Sequence, residues 1–306
     1  MRPHPTNIKN ALVKISISAW YLLTISGFLG CEEIVTNIDF PETKPKIVVH
    51  SFISPADTAA QVMLSWSIPV NASISKDSIH YIDHARVRMA GPNNTFVDLD
   101  YHAGKKVYYV STNSMALFAG GTYQLQVEVP GQPSLHASCY IPQTNQTLTV
   151  ESLEREDLGW SERLKVTYEF TDVPGVKPNY YAPSVWLDNI YYYFDEDTID
   201  QGRSRFSIVS GESYLSNIGR EGRQFRFRAE TYDFQRMPET SNTIGGDSIF
   251  LLLLTTDEHY YRYHKDLESY VPENPFAEPV HIYSNIEGGL GVFAGFNRFE
   301  VVMALP

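Results

Sequence analysis

Leu117-Phe118-Ala119-Gly120-Gly121-Thr122-Tyr123 runs directly into Gln124-Leu125-Gln126-Val127-Glu128-Val129, and this stretch decides the fold. Tyr123, Leu125, Val127 and Val129 alternate with polar neighbours, which is the period of a half-buried strand. A Tyr heading such a strand after a glycine-bearing loop has the spacing of a tyrosine corner, in which the hydroxyl bonds back to upstream backbone in β-sandwich domains. Pro130-Gly131 then turns the chain, and Leu135–Ile141 reads as one more strand before Pro142.

Upstream the same grammar repeats. Ile47–Ile53 is a strand ended by Ser54-Pro55, and Val62, Leu64, Trp66 and Ile68 share one face before Pro69. Ala85–Met89 alternates again, Gly91-Pro92-Asn93-Asn94 turns toward Phe96–Leu99, and Val107–Val110 follows. Short strands at regular spacing predict an N-terminal β-sandwich of immunoglobulin or fibronectin type over residues 47–142.

Residues 143–306 predict a larger, mainly β domain. Its expected strands are Leu148–Leu153, Leu164–Phe170, Tyr180–Leu187, Ile190–Phe194, Phe206–Val209, Phe225–Thr231, Ser248–Leu254, His281–Ser284, Gly291–Phe296 and Phe299–Met303. Ile249–Leu254 is apolar throughout and is expected to be central or covered on both faces. One amphipathic helix is expected near residues 256–271. Thr255 and Glu258 form a capping box, Tyr260, His264, Leu267 and Val271 form a single stripe, and Pro272 stops it.

The 306 residues carry 24 Lys and Arg against 36 Asp and Glu, a net charge of −12. With no basic run, the balance excludes nucleic acid as a partner. The N-terminus has its own logic. Arg2, Lys9 and Lys14 precede an apolar stretch from Ile15 to Leu29, the pattern of a secretory signal and shorter than the roughly twenty residues of a membrane span. Phe28-Leu29-Gly30-Cys31 reads as a lipobox: a small residue before a cysteine whose thiol takes the lipid. Residues 1–30 are then a lipoprotein signal peptide and residues 31–46 an acidic, Pro-containing tether. Removing the three leader cations takes the net charge from −12 to −15.

No catalytic constellation emerges, and no cofactor or metal is expected. His259 and His264, five apart, sit about 140° round a helix and cannot share a metal. His80 and His84 around Asp83 are read as surface residues, and Cys139 as a buried structural thiol. Gly211-Glu212-Ser213 does not complete a nucleophile elbow. Gly288-Gly289-Leu290-Gly291 leads into a strand, which favours a tight turn or bulge over a phosphate site. The acidic run Asp195–Asp200 offers hard oxygen ligands for calcium but lacks the EF-hand glycine and distal glutamate, and is read as a solvated loop. The best binding candidate is the aromatic concentration Tyr180, Tyr181, Trp186, Tyr191, Tyr192 and Tyr193, a stacking platform for a sugar, peptide or partner protein; alternation along a strand sends about half of such residues inward.

Several segments together resemble a Bacteroidetes lipoprotein family catalogued as domain of unknown function 4249. They are Cys31-Glu32-Glu33, Lys46–Pro55, Val62–Pro69, Gly121–Val127, Asn179-Tyr180-Tyr181, Tyr260–Tyr263, Asn274–Val280 and Ser284–Phe293. The resemblance implies an outer-membrane lipoprotein, often encoded beside a TonB-dependent transporter, with no established enzymatic activity and no assigned catalytic residues. The resulting expectation is a non-catalytic accessory or binding component of TonB-dependent uptake. It would be lipid-anchored through Cys31 at the periplasmic or cell-surface face of the outer membrane. The alternative is a surface glycan- or peptide-binding module independent of a transporter, with a hydrolase a distant third.

Overall fold

In the computed structural model the described residues are 44–68, 79–159, 161–175, 178–193, 198–231, 234–235, 248–270 and 281–305. The expected signal peptide, Cys31 and most of the expected tether lie outside them, as do Asp195–Asp197 of the acidic run and Val271-Pro272 after the helix.

Among the described residues, seventeen strands and one helix follow in chain order. The first seven strands are β1 (Ile47–Ile53), β2 (Ala59–Trp66), β3 (Arg86–Ala90), β4 (Phe96–His102), β5 (Val107–Ser111), β6 (Thr122–Glu128) and β7 (Leu135–Tyr140). Then come β8 (Thr149–Asp157), β9 (Ser161–Thr171), β10 (Tyr180–Tyr193), β11 (Thr198–Arg205), β12 (Ser207–Ser210), β13 (Leu215–Ser216), β14 (Gln224–Glu230) and β15 (Phe234–Gln235). The chain finishes with β16 (Ser248–Thr256), helix α1 (Glu258–Ser269) and β17 (Leu290–Ala304).

The first seven strands form a sandwich. β1, β2 and β5 make one side, and β4, β3, β6 and β7 the other. β4 joins them by changing partner midway: Phe96–Leu99 pair with β3, whereas Asp100–His102 pair with β5. The corner forms as its spacing predicts. Tyr123 is fully buried, and its hydroxyl accepts the Phe118 N–H at 2.6 Å while facing the Ala116 carbonyl at 3.4 Å.

The described residues form two hydrophobic cores. One collects Val49, Val62, Met89, Tyr123 and Ile141 with Ile286 and Phe293 from far downstream. The other is built from residues such as Leu164, Tyr168, Phe170, Val185, Leu251 and Leu253. It lies between β10, β16 and β17 on one side and the five-stranded sheet of β8, β9, β12, β14 and β15 on the other. Residues on either side of the expected break at 142/143 therefore mostly feed different cores, yet Lys44–Pro306 is one compact unit.

β17 is what unites them, and it corrects the expectation of two strands there. It is continuous for fifteen residues. Its first part runs parallel to β1, from Val48 opposite Leu290 to Ile53 opposite Gly295, and its second part runs antiparallel to β16. Gly291 makes the first pairing possible. It has φ +102°, and a Cβ there would lie 2.0 Å from the Val49 carbonyl oxygen. The residues 281–284, expected as a strand, form none. Tyr180–Leu187 and Ile190–Phe194, expected as separate strands, are continuous as β10 through Tyr193, and Phe194 lies outside the described residues. Pro183 fits inside β10 because its nitrogen faces the gap left between β13, which pairs with residues 180–181, and β11, which starts pairing at Trp186.

The helix start also differs from expectation. β16 continues through Thr256, and Thr255 Oγ1 accepts the Asn145 N–H at 3.1 Å, so Asp257 is the N-cap, bonded to the Tyr260 N–H at 2.8 Å. Leu267, placed on the inner stripe by its spacing, is 40% exposed, whereas Tyr260 and His264 do pack inward against Phe52. Among the described residues no helix is long and apolar enough to cross a membrane.

Candidate functional site: an arginine-rimmed groove

Two concavities are candidates. The larger, about 690 Å³, lies where the segment after β7 meets the start of α1 and is lined by Asn145, Tyr180, Thr256, Asp257 and His259 among others. Burial pushes the Asp257 pKa up to about 7, against the opposing pull of backbone N–H bonds from Tyr260, Gly295, Tyr140 and His259. Those donors engage both carboxylate oxygens, so Asp257 ties backbone elements together. His259 is held by the Tyr283 hydroxyl at 2.7 Å. Cys139, 2% exposed, also lines this cleft; burial drives its thiol pKa well up and leaves it protonated and inert.

The smaller groove, about 360 Å³, sits on the opposite face of β10, β16 and β17 from the second core, beside α1. Ile249–Leu254, expected to be central or covered on both faces, is central, between β10 and β17, and its outer face explains the groove. Ile249, Leu251 and Leu253 point into the core, while Phe250, Leu252 and Leu254 point outward and are only half-buried. The apolar composition of this central strand thus leaves an apolar floor on the surface.

Cations rim that floor. Arg203 Nε donates to Asp188 Oδ1 at 2.8 Å, and its guanidinium lies 4.0 Å from the centre of the Phe250 ring. Arg205, directly across from Trp186 in the β10–β11 register, lies 5.9 Å from the indole centre and has no ion pair among the described residues. Arg298, from β17, donates to the Ala56 carbonyl at 3.4 Å. Tyr214 and Tyr260 close the side toward α1, both in contact with the His264 ring. Trp186 is held in place by its own indole N–H, which donates to Ser184 Oγ at 3.1 Å.

The sequence-predicted aromatic platform divides. Trp186 alone lines the groove. Tyr181 is 1% exposed and donates to Asp172 at 2.6 Å inside the second core, so it cannot offer a stacking face. Tyr180, on the outer side of β10, is stacked against Tyr261 of α1 and is 8% exposed. Tyr191, Tyr192 and Tyr193 continue the strand beyond, with side chains outside the described residues.

Arg203, Arg205, Arg298, Tyr214 and Tyr260 were not marked out by sequence reasoning. The signal available was Arg203-Ser204-Arg205, two cations at strand spacing in a chain with an acidic excess. Among the described residues no group of three or more His, Cys, Asp or Glu could hold a metal ion. His84 pairs with its neighbour Asp83, at 3.2 Å and in solvent, and His264 bonds to the Tyr260 carbonyl of its own helix.

Among solved structures, the BSP domain of a biofilm-associated protein is similar over 83% of this chain at 8% identity, with a TM-score of 0.14. The chain spans 58% of that structure's length. No fold or activity follows from a likeness of that size. No curated protein matches the chain. The family model of DUF4249, a domain of unknown function, matches residues 33–300, and the chain belongs to that family.

Proposed function

We propose that the protein is a lipid-anchored, non-catalytic binding component of an outer-membrane uptake system, working beside a TonB-dependent transporter. The observation that carries this reading is the groove: an apolar floor on paired strands, rimmed by arginine and aromatic side chains, with no carboxylate or thiol among its described lining residues. Such a surface is suited to holding a ligand or partner, since strands fix side-chain positions better than loops do. The lipobox at Cys31 supplies the anchor, two or more acyl chains giving stable attachment where a single chain is marginal. A body of net charge −15 after loss of the leader is repelled by anionic lipid, which favours a protein partner over the bilayer surface.

Two measurements test this. Metabolic labelling with a fatty acid is expected to mark the wild type and not Cys31→Ala. Gentle solubilisation is expected to recover the protein with its transporter; recovery as a lone species overturns the accessory role. The alternative, a surface glycan- or peptide-binding module without a transporter, is favoured by the half-exposed Trp186 ring beside Arg205. Ligand binding by cells lacking the transporter would select it.

A further inference from the structure

We propose that the groove on the outer face of β10, β16 and β17 binds a ring-bearing monocarboxylate, with Arg205 clasping the carboxylate and Trp186 supporting the ring. The inference rests on the reading of the chain as a binding protein and adds the chemical class of what this site holds.

The argument starts from the three cations, which are not equivalent. Arg203 has a carboxylate partner, Asp188, and its guanidinium sits over the Phe250 ring. Arg298 donates to a backbone carbonyl and shares its surroundings with Asp57, whose charge it stabilises. Only Arg205 has neither ion pair nor hydrogen bond among the described residues, in a chain where acidic residues outnumber basic ones by 36 to 24. Its field reaches across the groove to α1: burial lowers the His264 pKa and Arg205 lowers it further, while burial raises that of Tyr260 with Arg205 opposing. Glu300, two residues beyond Arg298 and exposed on the same strand, makes no ion pair with any of the three.

One uncommitted guanidinium is a planar fork of donors, which matches one planar carboxylate bidentately. A phosphate dianion calls for several converging donors, and here the other two arginines are engaged. Beside the fork lies a floor of Ala182, Leu252, Leu254 and Phe296 with Trp186 at its edge, a surface for the apolar face of a ring. At about 360 Å³ the groove is at the small end for ligand sites, the size for one or two rings. A uronic acid and an aromatic acid share this chemistry.

The test uses the full chain in detergent, titrated by calorimetry with a glucuronate-terminated disaccharide, with phenylacetate, with the neutral glucose-terminated disaccharide and with inorganic phosphate. At least one of the two carboxylates is expected to bind about tenfold or more tightly than the neutral sugar and phosphate, and the tighter of the two identifies the source. Arg205→Gln is expected to lose about tenfold or more of that affinity. Arg86→Gln, an equal charge change at an exposed residue of the sandwich, is expected to lose none. Equal binding of the neutral disaccharide, tighter binding of phosphate, unchanged binding by Arg205→Gln, or no binding of either acid overturns the proposal. Each of these outcomes leaves recovery with the transporter as a separate result. Failure of that recovery with intact acid binding removes the transporter reading alone.

Discussion

The carboxylate of Asp257 accepts the backbone N–H of Gly295 at 3.0 Å. The same oxygen takes the Tyr140 N–H at 3.2 Å, and the other caps α1 through the Tyr260 N–H at 2.8 Å. One side chain therefore joins the last strand of the sandwich, the strand common to both cores and the only described helix. Asp257→Ala strips the partner from two N–H groups of the sheet and from the helix start. At about 1–3 kcal/mol for each buried donor left unpaired and about 1 kcal/mol for the cap, a loss of about 3 kcal/mol or more is expected in denaturant unfolding. Asp257→Asn keeps one acceptor oxygen and is expected to fall between the two.

The same residue gives a pH dependence of definite sign. Burial raises its pKa from an ordinary 3.8 to about 7 in the folded state. Between those values the folded chain holds a proton that the unfolded chain has released. Its contribution to stability is therefore greatest below about pH 4 and is lost as pH rises through 7. The difference in stability between wild type and Asp257→Asn, followed from pH 4 to pH 8, should narrow as pH rises. Asp172 behaves in the opposite sense. Burial works to raise its pKa, but donors from Tyr181, Gly222, Asn217 and Asn179 outweigh it and hold it below the usual value. Its contribution is present above the ordinary carboxylate pKa and is lost as pH falls through the lowered one, a loss that Asp172→Asn should not show.

Gly295 is required by a close approach. A Cβ at this position would lie 2.3 Å from the Tyr140 carbonyl oxygen and 2.7 Å from its carbon. Both are backbone atoms held by the β6–β7 ladder and cannot step aside. Gly295→Ala should cost about 1–3 kcal/mol or prevent folding altogether. Gly131→Ala meets open space and carries only the strain of φ +78°, about 1 kcal/mol. A midpoint shift in urea that is equal for the two variants would contradict the tight β7–β17 approach.

Removing one oxygen tests the tyrosine corner. Tyr123→Phe preserves the packing of the ring and leaves the Phe118 N–H without its 2.6 Å partner. The expected loss is about 1–3 kcal/mol, with no change in the denaturant slope, since the surface exposed on unfolding is the same. An unchanged midpoint would mean that water replaces the hydroxyl at no cost.

That corner was legible because its parts lie within seven residues of one another, and the sandwich because each of its strands announces its own face. β17 was not, for two reasons. Asn297-Arg298 looks like a break between apolar runs, but Asn297 donates to the Pro142 carbonyl at 3.2 Å and Arg298 faces the groove, so both find a place in a continuous strand. The parallel pairing of Val48 with Leu290 joins positions with no local signal of each other. A similar competition moved the helix cap: Thr255 carries a capping-box pattern, and Asn145, distant in sequence, claims its hydroxyl. For the candidate site, the density of aromatics at residues 180–193 indicated the right strand and little more. Tyr181 and Trp186 differ in fate because five residues along a strand reverse the face, and Arg205 passed unnoticed because an arginine at alternating spacing looks like any solvated strand face.

Cys139 supplies a chemical test that reaches back to the N-terminus. Its thiol is buried, unpaired and kept protonated by burial, with the nearby charge of Asp257 acting in the same direction. Thiolate is the reactive form, so the folded protein should not be labelled by a thiol reagent at neutral pH on the timescale that labels free cysteine. Unfolding exposes Cys139 and should release one reactive equivalent from protein extracted from membranes, because lipidation would occupy the sulfur of the chain's other cysteine, Cys31. Protein made without its leader and with Cys31 retained should give two equivalents in denaturant. Two equivalents from the membrane-extracted protein would mean that Cys31 carries no lipid, and rapid labelling of Cys139 in the native state would mean that the β7–α1 junction opens far more readily than its four carboxylate bonds allow.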